Sequence, residues 1–221
     1  MHTIAGGLGL LFAQLGRRAG ATVIGTTSTS SKAELAKKNG ADHVILYPVE
    51  DTVKKVLELT NGEGVDAVFD GVGKDTCVKS YFIHIAVINS RSFDNNFKLI
   101  KRKGTIVSVG NASGAVPPFS LPKLVEKNIR LLRPTLVFPR TTAEGVLTKI
   151  HNFYSRMANY VYTPEEAAHY GQVLFGLIEH EELRIQIFDE YPFTTEGVQR
   201  AQSDLTVAGG KTTGKLLIKV A

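Results

Sequence analysis

The chain has 221 residues, 43% hydrophobic and 21% charged, with 21 Gly and 8 Pro, which excludes a disordered or collagen-like polymer and suits a globular fold near the upper size of one domain. Lys and Arg (26) exceed Asp and Glu (21) for a net charge of +5, compatible with phosphate-bearing ligands but too small to define a nucleic-acid binder. The single cysteine, Cys77, excludes an internal disulfide framework and a CxxC metal site, and so favours a reducing compartment.

The opening MHTIAGGLGLLFAQLGRRAGA contains an apolar stretch, but no basic segment leads it and Arg17 and Arg18 interrupt it. It does not read as a signal peptide. YFIHIAVI at 81–88 is far short of the roughly 18 apolar residues of a spanning helix. A cytoplasmic chain with no membrane partner is the expectation.

In chain order, Leu8, Leu11, Phe12, Leu15 and Ala19 recur at helical spacing, and Gly20 closes that helix before the strand-like ATVIGT. KAELAKKNG, ADHVIL, EDTVKKVLELTNG and VDAVFD continue as helix, strand, helix and strand, the last ending at Asp70. GTIVSVG at 104–110 is strongly strand-like, and a Pro-containing loop, LPKLVEKN and NIRLLRPTLV follow. Such alternation predicts a doubly wound α/β fold with a parallel sheet covered on both faces. Helices are expected over 141–155 and, opened by Pro164, over 165–179, both with apolar stripes. LRIQIFDEYPF, TTEGVQRAQSDLTVAGG and GKLLIKV then read as strand, helix and strand, either at the edge of the main domain or in another sheet. No fixed-period repeat is present.

Gly6, Gly7 and Gly9 stand directly before the first helix, where missing side chains allow a tight turn or let a pyrophosphate approach backbone N–H groups. The strict G-x-G-x-x-G spacing is absent, so an ordinary turn is the competing reading. An NAD site places Asp or Glu at the end of the next strand. Here GTTSTSSK offers Ser28 and further hydroxyls, and Lys32 supplies positive charge for a 2′-phosphate. That charge logic favours NADPH. The alternative makes Ser31 the N-cap of the next helix and Lys32 a solvated side chain, and the two are compatible.

Six strings carry a resemblance in this order: AGGLGLLFAQL (5–15), ATVIGTTSTSSKAELAKKNGADHVI (21–45), VFDGVGKDT (68–76), KRKGTIVSVGNASG (101–114), RPTL (133–136) and TTGKLLIKV (212–220). Together they resemble the quinone oxidoreductase, or zeta-crystallin-like, branch of the medium-chain dehydrogenase/reductase superfamily. The resemblance implies a Rossmann-like NADPH-binding domain over 1–180 and, over 181–221, elements completing or returning to a GroES-like catalytic domain. It implies a pyrophosphate turn at Gly6, Gly7 and Gly9, and an adenosine-phosphate region at Ser28, Lys32 and Tyr47. Val72 and Gly73 fall beneath the cofactor ribose, while Gly110, Asn111 and Ser113 face the nicotinamide end. Read without the resemblance, Tyr47 is equally a sheet-end residue beside Pro48, and NASG a common turn. The implied activity is zinc-independent hydride transfer from NADPH to a quinone or enone, with no catalytic residue assigned. Histidines 2, 43, 84, 151, 169 and 180 form no metal-ligand pattern.

Two departures accompany the resemblance. Only four residues precede Ala5, so the first strand of the dinucleotide sheet is expected to be largely missing, along with the preceding catalytic domain. CVKSYFIHIAVINSRS (77–92) reads as an insertion rather than a lid, interrupting a helix whose second half is FDNNFKLIKR. Its apolar centre fits a strand, a buried helical turn or an aggregation-prone patch alike. Lys98, Lys101, Arg102 and Lys103 read as a solvated helix end. These departures keep a second function open, an inactive NADPH-binding or dimerisation fragment, and a homodimer fits either reading. RNA binding stands third, on net charge and occasional basic patches only.

Overall fold

The structure, a computed structural model, describes residues 1–74, 93–134, 163–206 and 211–220. The expected insertion at 77–92 and the expected helix at 141–155 lie outside the described residues.

Helix α1 (Gly7–Arg18) ends at Ala19, and Gly20 takes the left-handed conformation at φ +75° that stops a helix. Strand β1 (Ile24–Thr27) leads to α2 (Ser30–Lys38), and β2 (His43–Leu46) to α3 (Thr52–Leu59). The cap of α2 is Thr29, whose hydroxyl accepts from the Lys32 amide at 3.3 Å. This corrects the expectation for Ser31, which hydrogen-bonds the Thr29 hydroxyl at 3.1 Å. The serine-threonine run offers several caps, and extended backbone at Thr29 selects one.

Strand β3 (Val65–Asp70) is followed by α4 (Asp94–Leu99) and β4 (Ile100–Ser108). Here the structure departs from the sequence reading: the helix stops at Leu99, and Lys101, Arg102 and Lys103 belong to the strand. Ile100 is wholly buried and pairs with Val65, and burying that β-branched side chain in the sheet outweighs one more helical turn. The basic residues are thus spread along a strand entrance, where Lys101 pairs with Asp66 and Lys103 has φ +63°. Helix α5 (Pro122–Val125) and β5 (Arg130–Leu132) follow, then α6 (Pro164–Glu179), β6 (Ile187–Pro192), α7 (Thr195–Thr206) and β7 (Lys215–Lys219).

All ladders are parallel: β1 with β2, β3–β4–β5, and β6 with β7. The first two sets meet through the N-terminal residues. The Thr26 amide donates to Met1 O at 3.1 Å and Thr26 O accepts from Ile4 N at 3.0 Å, while His2 N donates to Phe69 O at 3.1 Å. Residues 1–4 therefore stand between β1 and β3 and partly fill the position expected to be vacant. Ile4 is wholly buried, and its side chain lies where a Cβ on Gly25 would be, 2.4 Å away.

One apolar core gathers Ile45, Val56, Val68, Phe93, Leu99, Ile100 and Ile106, and a second joins Ile4, Leu10, Ala13, Ala36 and Ala41. The β6–β7 pair attaches to α1 through the Gly6–Gly214 bridge, an Arg18–Glu182 ion pair at 2.7 Å and the Gln14 side chain, which accepts from Arg184 N and donates to Arg184 O. Helix α6 opens on a capping box formed by Thr163 and Glu166. Its apolar stripe is not buried, since Tyr170, Val173, Leu174 and Phe175 remain exposed.

Candidate cofactor site

The sequence-expected site residues all fall at one end of the parallel strands, the end where open α/β sheets bind ligands. Ser28 follows β1, Tyr47 follows β2 and donates its amide to Thr27 O at 3.2 Å, Val72 and Gly73 follow β3, and Gly110, Asn111 and Ser113 follow β4. Gly6 caps α1, which has neither a side-chain cap nor an acidic residue in its first turn. Its N-terminal dipole is therefore not offset by local negative charge, a condition that favours an anion.

The glycines of this turn answer to the chain as well as to a ligand. A Cβ on Gly9 would lie 2.5 Å from both Thr3 O and Ile4 O, and one on Gly7 would lie 2.6 Å from Gly214 O. Close backbone packing alone requires glycine at both positions. Lys32 is half-buried at the start of α2, and burial lowers its pKa. Ser28 and Tyr47 are also half-buried nearby on the chain's fold, at the ends of paired strands.

The two loops after β3 and β4 are knitted together. Ala112 N donates to Gly71 O at 3.1 Å, Ser113 N and Oγ both donate to Val72 O at 2.9 and 2.8 Å, and Lys74 N donates to Gly114 O at 3.1 Å. Beneath them lies a buried polar chain. The Asp70 carboxylate, with no solvent exposure, accepts from the amides of Val72 (2.8 Å) and Gly73 (3.1 Å) and from Asn96 Nδ2 (2.7 Å). That donation leaves Asn96 Oδ1 facing His2 Nε2 at 3.0 Å, so the network assigns the His2 proton to Nε2 and makes Nδ1 an acceptor toward the Thr26 hydroxyl at 3.4 Å. Arg133 ties down the far loop, donating from Nη1 to Ser108 O (3.2 Å), Ser108 Oγ (2.5 Å) and Gly110 O (3.1 Å).

Sequence reasoning named Asp70 only as a strand end and gave Arg133 only as part of RPTL. It assigned no role to Asn96 or His2. A wholly buried asparagine inside FDNNFKL has no local signature, because its partners lie 26 and 94 residues away.

His2 carries a pH consequence. Burial, reinforced by the neighbouring amino terminus, pushes its pKa down to about 4 from the usual 6.5. Below pH 6.5 the unfolded chain binds a proton that the folded chain refuses, so stability falls as pH drops from about 6.5 toward 4 and then levels. Urea unfolding at pH 7 and pH 4.5 is expected to show a loss of order 2–3 kcal/mol from this group, and His2→Gln should reduce the pH dependence across that window.

Parallel strands with a glycine turn before the first helix and loops gathered at their C-terminal ends define an α/β unit of the Rossmann-like NAD(P)-binding kind. The comparisons agree. The family model for zinc-binding dehydrogenases matches residues 7–87. Quinone oxidoreductase of Pseudomonas aeruginosa is 31% identical over 218 residues, 98% of this chain and 54% of that protein, and quinone oxidoreductase 1 of Escherichia coli is 31% identical over 204 residues, 92% of this chain and 51% of that protein. The Escherichia coli quinone oxidoreductase structure complexed with NADPH superposes with a TM-score of 0.75 at 30% identity, covering 98% of this chain and 55% of that one. The chain belongs to the quinone oxidoreductase branch of the medium-chain dehydrogenase/reductase superfamily. It spans about half the length of the curated relatives it matches. Among the described residues no group of three or more His, Cys, Asp or Glu is arranged to hold a metal, and no helix is long and apolar enough to cross a membrane.

Proposed function

We propose that this chain holds NADPH along the C-terminal ends of β1 to β4 and serves hydride transfer to a quinone or enone. The observation that carries the reading is the charge arrangement: an α1 N-terminus without acidic neighbours for the pyrophosphate, and half-buried Lys32 beside the hydroxyls of the Ser28 turn for a 2′-phosphate. Crystallised relatives complexed with NADPH support it.

In this reading Gly6, Gly7 and Gly9 bring backbone amides to the pyrophosphate, and Tyr47 covers the adenosine. The knitted loops carrying Val72, Gly73, Gly110, Asn111 and Ser113 position the ribose and nicotinamide end, with Asp70 and Arg133 keeping those loops in place. When bound, the cofactor supplies the hydride; the chain supplies orientation and hydrogen-bond donors. Residues 181–221 are assigned to the junction with a GroES-like domain.

Loss of NADPH absorbance with a quinone acceptor tests the activity. Lys32→Ala is expected to raise KM for NADPH about tenfold or more, as for a lost charge-assisted hydrogen bond, with NADH kinetics unchanged. Equal effects on both cofactors would remove Lys32 from the phosphate seat.

A further inference from the structure

At the far end of α1 from the glycine turn, about 18 Å away along its twelve residues, three segments meet around a cavity of about 480 Å³. Arg17 and Arg18 line it from the last turn of α1, Lys38 from the last turn of α2, and Arg184 from the segment ahead of β6.

One side chain joins the three segments. Gln14 Nε2 donates to Leu10 O at 3.2 Å, Asn39 Oδ1 at 3.1 Å and Arg184 O at 2.9 Å, while Gln14 Oε1 accepts from Arg184 N at 2.7 Å. Gly40 is buried at φ +101°, and a Cβ there would lie 3.3 Å from the Arg17 side chain. The arginine stem therefore packs on the turn that closes α2.

The charges around this cavity do not cancel. Arg18 Nε meets Glu182 at 2.7 Å and Arg184 Nη2 meets Glu181 at 3.5 Å, which leaves Arg17 and Lys38, neither of them in an ion pair among the described residues. Basic side chains in a last helical turn often serve its free carbonyls. Here those carbonyls are already taken: Leu15, Gly16 and Arg17 O accept from the amides of residues 19–21, and Leu35, Ala36 and Lys37 O from those of residues 39–41. The two helix dipoles, about half a negative charge each, offset only part of the excess.

We propose that this cavity binds a small phosphate-bearing anion at a site separate from the cofactor seat, with the Arg17 guanidinium as a planar fork and the Lys38 ammonium as a point charge on its oxygens. Its volume is that of a small-molecule pocket. Gln14 fixes the three segments before the ligand arrives, so little ordering opposes binding.

The test follows thermal unfolding of the 221-residue chain as inorganic pyrophosphate is added, with ionic strength held constant by chloride. The expected result is a saturable rise in the unfolding midpoint, with apparent affinity about tenfold or more weaker in the double variant Arg17→Gln/Lys38→Gln, from two lost charge-assisted contacts. Lys37→Gln is the control, since Lys37 lies outside the cavity and pairs with Glu34 at 3.4 Å; it should keep the full response. NADPH titration of the double variant should match that of the parent chain. Absence of a saturable shift, or a shift that survives in the double variant or is displaced by NADPH, overturns the proposal. So does a response to a single-stranded oligonucleotide or to anionic lipid vesicles with none to pyrophosphate.

Discussion

Replacing Asp70 by alanine is expected to cost about 3–5 kcal/mol and to abolish cofactor binding, because one buried carboxylate satisfies three donors. The amides of Val72 and Gly73 and the side chain of Asn96 all converge on it, and Gly73 and Asn96 are themselves buried. Asp70→Asn should be far milder, about 1–2 kcal/mol. Its oxygen can keep the two amides, Asn96 can turn its amide over, and His2 can accept through Nε2 with its proton moved to Nδ1. Denaturant unfolding of the two variants checks the contrast. Equal losses would show that the carboxylate charge, rather than its acceptor count, holds the network.

Gly9→Ala is the second large effect. The new methyl would sit 2.5 Å from two main-chain oxygens, Thr3 O and Ile4 O. Neither can yield easily, since the Gly6 amide donates to Thr3 O and Ile4 N is bonded to Thr26 O. A cost of roughly 2–3 kcal/mol follows, together with a displaced α1 N-terminus and weakened pyrophosphate binding. Gly171→Ala is the control: it lies inside α6 with nothing within 4 Å of the added carbon, so it should stabilise by about 0.5–1 kcal/mol. Thermal melts of the pair separate collision from helix propensity.

The alternation of helices and strands was readable because its signals are local. Gly20 and Gly40 stop helices with positive φ, Pro164 opens α6, and β-branched runs mark the strands. The positions of Ser28, Tyr47, Gly73 and Gly110 at strand ends were readable for the same reason. Three features were not. The exchange of helix for strand at Ile100 depends on pairing with Val65, a distant residue. Cap selection between Thr29 and Ser31 depends on a backbone angle. The chain from His2 through Asn96 to Asp70 depends on three segments meeting. The glycine turn was readable as a place but not fully as a cause, since Gly7 and Gly9 are also demanded by Gly214, Thr3 and Ile4.

The central claim is that the strand ends, with Lys32 at their rim, form an NADPH seat. Equilibrium titration of the 221-residue chain with NADPH and with NADH, followed by cofactor fluorescence, tests it directly. Saturable NADPH binding, about tenfold or more tighter than NADH and lost in Asp70→Ala, is the predicted result. No binding of either cofactor, or equal affinity for both, would contradict it.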